Sequence, residues 1–384
     1  MSVRDIFGAK ATRSTRLCLI ADDLTGALDT AAQFVSVATP INVGWGAAAL
    51  DGSVAFDTGA REKTGAEAGD LVAARLAQVP FDPPALYYAK LDTLLRGHPA
   101  EEIAAWLRPG AFVRCIVAPA FPHHGRITRD GRQYRRHGET WTAVAADLAE
   151  DLERLGLRVA PRRPGAPAPD GISLWDAETD ADLDAIVAAA RATATPTLWC
   201  GSSGLAAALA RSLGAAPRRA APELARPLLG LFGSDQAVTA QQVDACGPLA
   251  LSARDGGAAT TEEIAGRLAR DGVALLRVAL PDGTRRQRAA EMIAQEFGRL
   301  LRALTPPATL LVAGGETLRA ICAALDAAHL ELVGQTEPGV PRSIIRGGRF
   351  DGVQVVSKSG AFGDRDLLRR LLALDPQPTT GVSA

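Results

Sequence analysis

Short apolar runs of strand type recur along the chain, and each stops at a polar or glycine-bearing turn before a stretch with apolar residues at helical spacing. Leu17, Cys18, Leu19 and Ile20 stop at Asp22 and Asp23, and Leu28, Ala31, Ala32 and Val35 follow at helical spacing. Val54-Ala55-Phe56 precedes Asp57 to Arg61, and Leu86 to Ala89 precedes Lys90-Leu91-Asp92. Cys115 to Ala118 precedes Pro119 to Pro122. Thr197 to Cys200 precedes Gly201 to Gly204, after which Leu205, Leu209 and Leu213 mark a helix face. Strand, turn, helix, strand predicts βαβ units and a largely parallel sheet.

The rhythm breaks at residues 214–228, GAAPRRAAPELARPL, a Pro-, Ala- and Arg-rich stretch without a period that reads as a linker. The pattern then restarts. Leu228 to Phe232 precedes Gly233-Ser234, and Val273 to Val278 is a further strand. Thr309 to Ala313 precedes Gly314-Gly315-Glu316-Thr317, with Leu318, Ile321, Cys322 and Leu325 on one helix face. Val353 to Val356 precedes Lys358-Ser359-Gly360-Ala361-Phe362-Gly363. The expected organisation is α/β with two domains, each a largely parallel sheet flanked by helices: a loose tail over 1–16, a first domain over 17–213, the linker, and a second domain over 229–384. The Pro-rich piece at 161–170 is expected as a surface loop.

Composition narrows the functional classes. The 384 residues are 47% hydrophobic, enough for buried cores. A net charge of −1 argues against nucleic-acid or membrane attraction, and 5% aromatics disfavours a base-stacking platform. Five cysteines are scattered without a C-x-x-C pair, and read as buried small hydrophobes in a reducing compartment. Met1 to Arg16 is basic but has no apolar core of signal-peptide type, and no apolar run approaches the ~20 residues of a membrane helix. A cytoplasmic protein is expected.

In open α/β sheets ligands sit at the carboxyl ends of strands. Asp22, Asp23, Asp57, Arg61, Lys90, Asp92 and Arg96 would converge there. Carboxylates suit a hydroxyl or a metal, and Arg and Lys suit a substrate carboxylate, so the mixture points to a small polyhydroxylated acid. Asp23 or Thr25 also fits a plain helix N-cap, and a set of caps and ion pairs is the alternative for the whole group. The glycine turns at 233–234, 314–317 and 359–363 would let backbone N–H groups approach a nucleotide phosphate, although each alone also fits a tight turn. No Walker A sequence is present: Gly352 to Ser359 lacks the second glycine. No G-x-G-x-x-G follows a strand, which disfavours a dinucleotide site. Residues 126–136, RITRDGRQYRR, carry five arginines and read as a solvated loop or an anion-closing lid. His123 and His124 lack metal-ligand spacing.

Together these motifs resemble the four-carbon acid sugar kinase family. The landmarks are Ala21-Asp22-Asp23-Leu24-Thr25-Gly26-Ala27, Asp57-Thr58 to Arg61, Lys90-x-Asp92 with Arg96-Gly97, Pro119 to Pro122 with Gly125-Arg126-x-Thr128, and Gly201 to Ala206. Gly233-Ser234, Gly314 to Thr317 and Lys358-Ser359-Gly360-x-Phe362-Gly363 complete the set, which spans about Leu17 to Leu372. The resemblance implies a first domain that binds the sugar acid, a second that binds ATP, and an active site in the cleft between them. It implies phosphorylation of the terminal hydroxyl of threonate, erythronate or 3-oxo-tetronate with Mg²⁺ carried on ATP. Asp22 and Asp23 take catalytic positions, and Asp57, Arg61, Lys90, Asp92 and Arg96 substrate positions. Ser234, Gly314, Gly315, Glu316, Thr317 and Gly360 take ATP contacts. A homodimer stays open.

Residues 92–96 read DTLLR where the family commonly shows D-S-T-L-R, and Ala361 stands where a second glycine is usual. Both fall away from the fold-defining positions, and the first falls in the acid pocket. The alternatives are a kinase of a branched acid of 3-oxo-isoapionate type, a sugar-acid dehydrogenase or lyase, and a regulatory protein that binds acid and nucleotide without turnover.

Overall fold

The computed structural model describes residues 15–46, 50–79, 85–215, 223–233, 236–281 and 283–374. The first half contributes β1 (Arg16–Ala21), α1 (Leu24–Ala32), β2 (Ile41–Gly44), β3 (Ser53–Asp57), α2 (Gly65–Leu76), β4 (Ala85–Lys90), α3 (Pro99–Leu107) and β5 (Arg114–Ala118). A hairpin arm follows, β6 (Arg126–Arg129), β7 (Arg132–His137) and β8 (Thr140–Ala143). Then come α4 (Leu148–Arg154), β9 (Val159–Arg162), β10 (Gly171–Trp175), α5 (Asp180–Arg191), β11 (Thr197–Gly201) and α6 (Ser203–Ser212). The second half has β12 (Leu228–Phe232), α7 (Ala237–Asp244), β13 (Ala250–Ala253), α8 (Ala258–Asp271), β14 (Val273–Val278), α9 (Arg286–Ala303) and β15 (Thr309–Ala313). It closes with α10 (Gly315–Ala324), β16 (His329–Glu337), β17 (Val340–Arg346), β18 (Gln354–Lys358) and α11 (Leu367–Leu371).

The βαβ rhythm holds in both halves, but the two sheets are not separate. They form one 15-stranded sheet in the order β13-β14-β12-β15-β18-β17-β16-β2-β3-β1-β4-β11-β5-β10-β9. The β16–β17 hairpin is the splice: it pairs antiparallel with β2 on one side and β18 on the other, while the remaining pairs are parallel. Period-2 alternation gives each strand two apolar faces. Leu17, Leu19 and Ala21 of β1 join a core that runs beneath α1, α5, α6, α8, α9 and α10 across both halves. Cys18 and Ile20 face a second core under α2, α3 and α4, and a third lies under α7 and α11. Strands buried on both faces read as continuous apolar runs, as a parallel sheet requires.

This topology places the site. In the first half β1 has β3 on one side and β4 on the other, and the chain reverses direction across the sheet there. In the second half the same reversal falls between β12 and β15. Such switch points open a crevice at strand carboxyl ends. Three antiparallel pairings would leave the two sets of strand ends on opposite edges. Six steps separate β1 from β15. At the usual twist of ~20–25° per step they rotate the sheet by roughly 120–150°, which largely undoes that reversal. Helix α1 packs against α10 across the splice as a result.

Candidate active site

Strand β1 ends at Ala21, and the next two carboxylates part ways. Asp22 is 3% exposed and receives a bidentate pair from Arg61, Nε to Oδ2 and Nη2 to Oδ1, both at 2.7 Å. Burial raises its pKa, while the Arg61 charge and hydrogen bonds oppose the shift. Asp23 is 22% exposed. Its Oδ1 accepts the Gly26 N–H at 2.8 Å and so caps α1, and its Oδ2 accepts the Thr25 hydroxyl at 2.8 Å and Arg61 Nη1 at 2.9 Å. Asp23 therefore caps the helix and also presents a carboxylate edge to the site.

Arg61 is the hub of the acidic group. Beyond Asp22 and Asp23, its Nη2 lies 3.6 Å from Asp92 Oδ2. Burial works against its charge, but Asp23, Asp22 and Asp92 push its pKa up. With all three guanidinium nitrogens on carboxylates, Arg61 organises the site. Arg96 binds Asp92 with Nε and Nη2 at 3.0 and 2.6 Å yet stays 59% exposed, so its outer edge is available to an anion. Burial acts against the Asp92 charge, but the Arg96 hydrogen bond and nearby cations hold the carboxyl below its ordinary range. Lys90 is buried and its Nζ donates to Leu91 O at 2.7 Å. Asp57 stands apart from this cluster. It is 1% exposed, its Oδ1 accepts the Gly59 N–H at 2.7 Å, and its Oδ2 pairs with Arg319 of α10 at 3.0 Å. Burial pushes it up to about 7 against the Arg319 charge.

The glycine turns of the second half meet this edge. Gly314 starts α10 at φ +98°, a backbone conformation that favours glycine, and its N–H donates to Lys358 O at 2.9 Å. The first turn of α10 thereby aims N–H groups outward, a ready site for a phosphate. A Cβ at Gly315 would lie 3.4 Å from Thr25 N and Oγ1 and 3.5 Å from Asp23 Oδ2, so the α10 N-terminus faces the Asp23 carboxylate directly. A Cβ at Gly233 would lie 2.6 Å from Thr317 Oγ1, which brings the turns after β12 and β15 together. Glu316 is exposed at the same turn. The Gly360 carbonyl accepts from Thr239 Oγ1 at 2.7 Å. Ser234 lies outside the described residues.

Sequence reasoning named no role for three groups that the fold brings here. Lys358, 1% exposed, donates to Thr239 Oγ1 and to the carbonyls of Ser359, Gly360 and Phe362 over 3.1–3.4 Å, and burial lowers its pKa to about 8. It pins the last glycine loop from beneath. Glu102 of α3 is buried behind Asp22, where burial and the Asp22 charge raise its pKa well above the ordinary value. His124 stacks between Phe121 at 4.2 Å and Phe362 at 4.8 Å and thus bridges the halves. Burial, His123 and Arg126 lower its pKa to about 4. The arginine-rich stretch at 126–136 is β6 and β7, a hairpin, where a loop was expected. Among the described residues no three His, Cys, Asp or Glu side chains group as a metal cage. No helix among them is long and apolar enough to cross a membrane.

Two family models match the chain, one in each half. A sugar-binding N-terminal domain model matches residues 17–147, and a nucleotide-binding C-terminal domain model matches residues 229–368. A D-threonate kinase of Bordetella bronchiseptica is 32% identical, covering 92% of this chain and 95% of its own. The chain belongs to the four-carbon acid sugar kinase family. A 3-oxo-tetronate kinase of Pseudomonas fluorescens is 27% identical, covering 92% of this chain and 95% of its own. The fold is shared with a crystal structure from Salmonella typhimurium, at a TM-score of 0.72 and 21% identity over 92% of this chain and 98% of that one. A Haemophilus influenzae structure matches at a TM-score of 0.68 and 19% identity over 92% and 99%.

Proposed function

We propose that this family member is an ATP-dependent kinase that phosphorylates the terminal hydroxyl of a four-carbon sugar acid such as threonate, erythronate or 3-oxo-tetronate. The observation that carries the reading is the approach of the α10 N-terminus, through Gly315, to Asp23 Oδ2. A phosphate on that turn and a hydroxyl on that carboxylate would be neighbours.

In this reading Asp23 Oδ2 accepts the proton of the attacking hydroxyl. Arg61 fixes the carboxylate edge, and Asp22 holds Arg61. With Arg61 engaged, Arg96 and Lys90 receive the acid's carboxylate. The backbone N–H groups of Gly315, Glu316 and Thr317 take the terminal phosphates, and the loop pinned by Lys358 supports the remainder. Thr25 Oγ1, which faces that turn, is a hard oxygen donor of the kind Mg²⁺ accepts. Mg²⁺ brought in on the phosphates would supply charge neutralisation. Positioning and electrostatics carry most of the acceleration in phosphoryl transfer. ADP release, coupled to a spectroscopic readout against four-carbon and branched five-carbon acids, tests the reading. Turnover is expected with at least one acid. ATP binding without ADP release for every acid would favour the regulatory alternative.

A further inference from the structure

Helix α10 touches the first half at two points on one face. Gly315 meets Thr25 and Asp23, and Arg319, four residues on, meets Asp57. Residues spaced i, i+4 lie one above the other on a helix, so the turn facing Asp23 and the guanidinium on Asp57 move as one rigid piece. Arg319 Nη1 binds Asp57 Oδ2 at 3.0 Å and Nη2 reaches the Trp45 carbonyl at 3.5 Å, which anchors the helix to the ends of both β2 and β3. The opposite residue is shaped for this. Gly59 sits at φ +64°, and a Cβ there would overlap the Arg319 guanidinium. Only glycine satisfies both the backbone angle and the approach. The buried Asp57 carboxylate leaves Arg319 as its cross-half partner, with the Gly59 N–H on its other oxygen.

We infer that Arg319 is a positioning residue that latches the phosphate-binding turn of α10 onto the sugar-acid edge, so that nucleotide and acid binding reinforce one another. The inference rests on the kinase reading for the identity of the two ligands; the latch itself rests on the Arg319–Asp57–Gly59 geometry. It also moves Asp57 from direct acid contact to support of α10. Coupling between sites of this kind is typically 5–150-fold.

The test uses the full chain, with Arg319→Met removing the guanidinium and Gly59→Ala excluding it by an independent route. Amide hydrogen exchange over residues 55–61 without ligand reports the latch alone. Both variants are expected to exchange about tenfold faster there, with residues 17–21 of the core unchanged. Calorimetric affinity for D-threonate, with and without the magnesium complex of a non-hydrolysable ATP analogue, reports the coupling. The wild type is expected to bind the acid about tenfold tighter with the analogue present, and both variants to lose most of that factor while binding the analogue itself as before. Unchanged exchange in both variants overturns the latch. An intact coupling factor in both overturns the positioning role. If the wild type binds neither ligand while exchange still rises in the variants, the latch stands and the kinase reading falls.

Discussion

At Asp23 one carboxylate oxygen caps α1 and the other faces the α10 turn. Asparagine keeps a cap of equal quality and removes the proposed base. Asp23→Asn is therefore expected to lower kcat about 10²–10⁴-fold, the usual worth of a general base, with the melting temperature held. Full activity in this variant would reduce Asp23 to a cap. Asp57 gives a pH dependence of stability. Its folded pKa of about 7 lies above the ordinary carboxyl value of 3.8, so between those values the folded state binds more protons. The stability contributed by this group is then lost as pH rises through that window. The melting temperature of Asp57→Asn relative to wild type should rise from pH 5 to pH 8. A flat difference would show Asp57 ionised on Arg319 throughout. Of the charged residues expected at the site, Asp22, Asp23, Arg61, Asp92 and Arg96 form one connected network, and their strand-end positions were legible from the apolar runs before them. Arg319 was not legible, because a helix-face arginine carries no local signal of its cross-half partner.

The proposed nucleotide contacts of Gly314 to Thr317 fall on a single element, the α10 turn. Gly314 holds φ +98°, where an alanine is strained. Gly314→Ala is expected to weaken ATP about tenfold or more and to leave acid affinity within about twofold, since a 1–2 kcal/mol backbone penalty falls on this turn. Equal losses in both affinities would show a turn that serves general stability. Two hairpins were missed from sequence, for different reasons. The arm β6–β7 turns at Asp130-Gly131, both at positive φ, the mark of a tight primed hairpin. The run of arginines around it masked the Asp-Gly signal. The β16–β17 hairpin was equally visible in principle, with Leu330 and Leu332 buried in alternation ahead of Pro338-Gly339. Its importance lies in pairing partners far along the chain, which periodicity does not report.

For the whole molecule, the splice makes one sheet of two halves, and one apolar core runs beneath helices of both. The composition break at 214–228 suggested independent sheets; hydrogen bonds from β16 to β2 join them instead. A shared core and ladder predict a single cooperative unfolding transition by calorimetry, with equal calorimetric and van't Hoff enthalpies. Two resolved transitions would mean that the halves unfold separately. In the proposed mechanism the junction also sets the chemistry, since the Asp23 carboxylate of one half and the α10 turn of the other act together. Phosphorus NMR of ATP incubated with the preferred acid tests that claim most directly. The account predicts a new phosphomonoester triplet, split by the two protons of the terminal methylene, formed one-for-one with ADP. Inorganic phosphate as the sole new signal, or a phosphate ester at a secondary carbon, would contradict it.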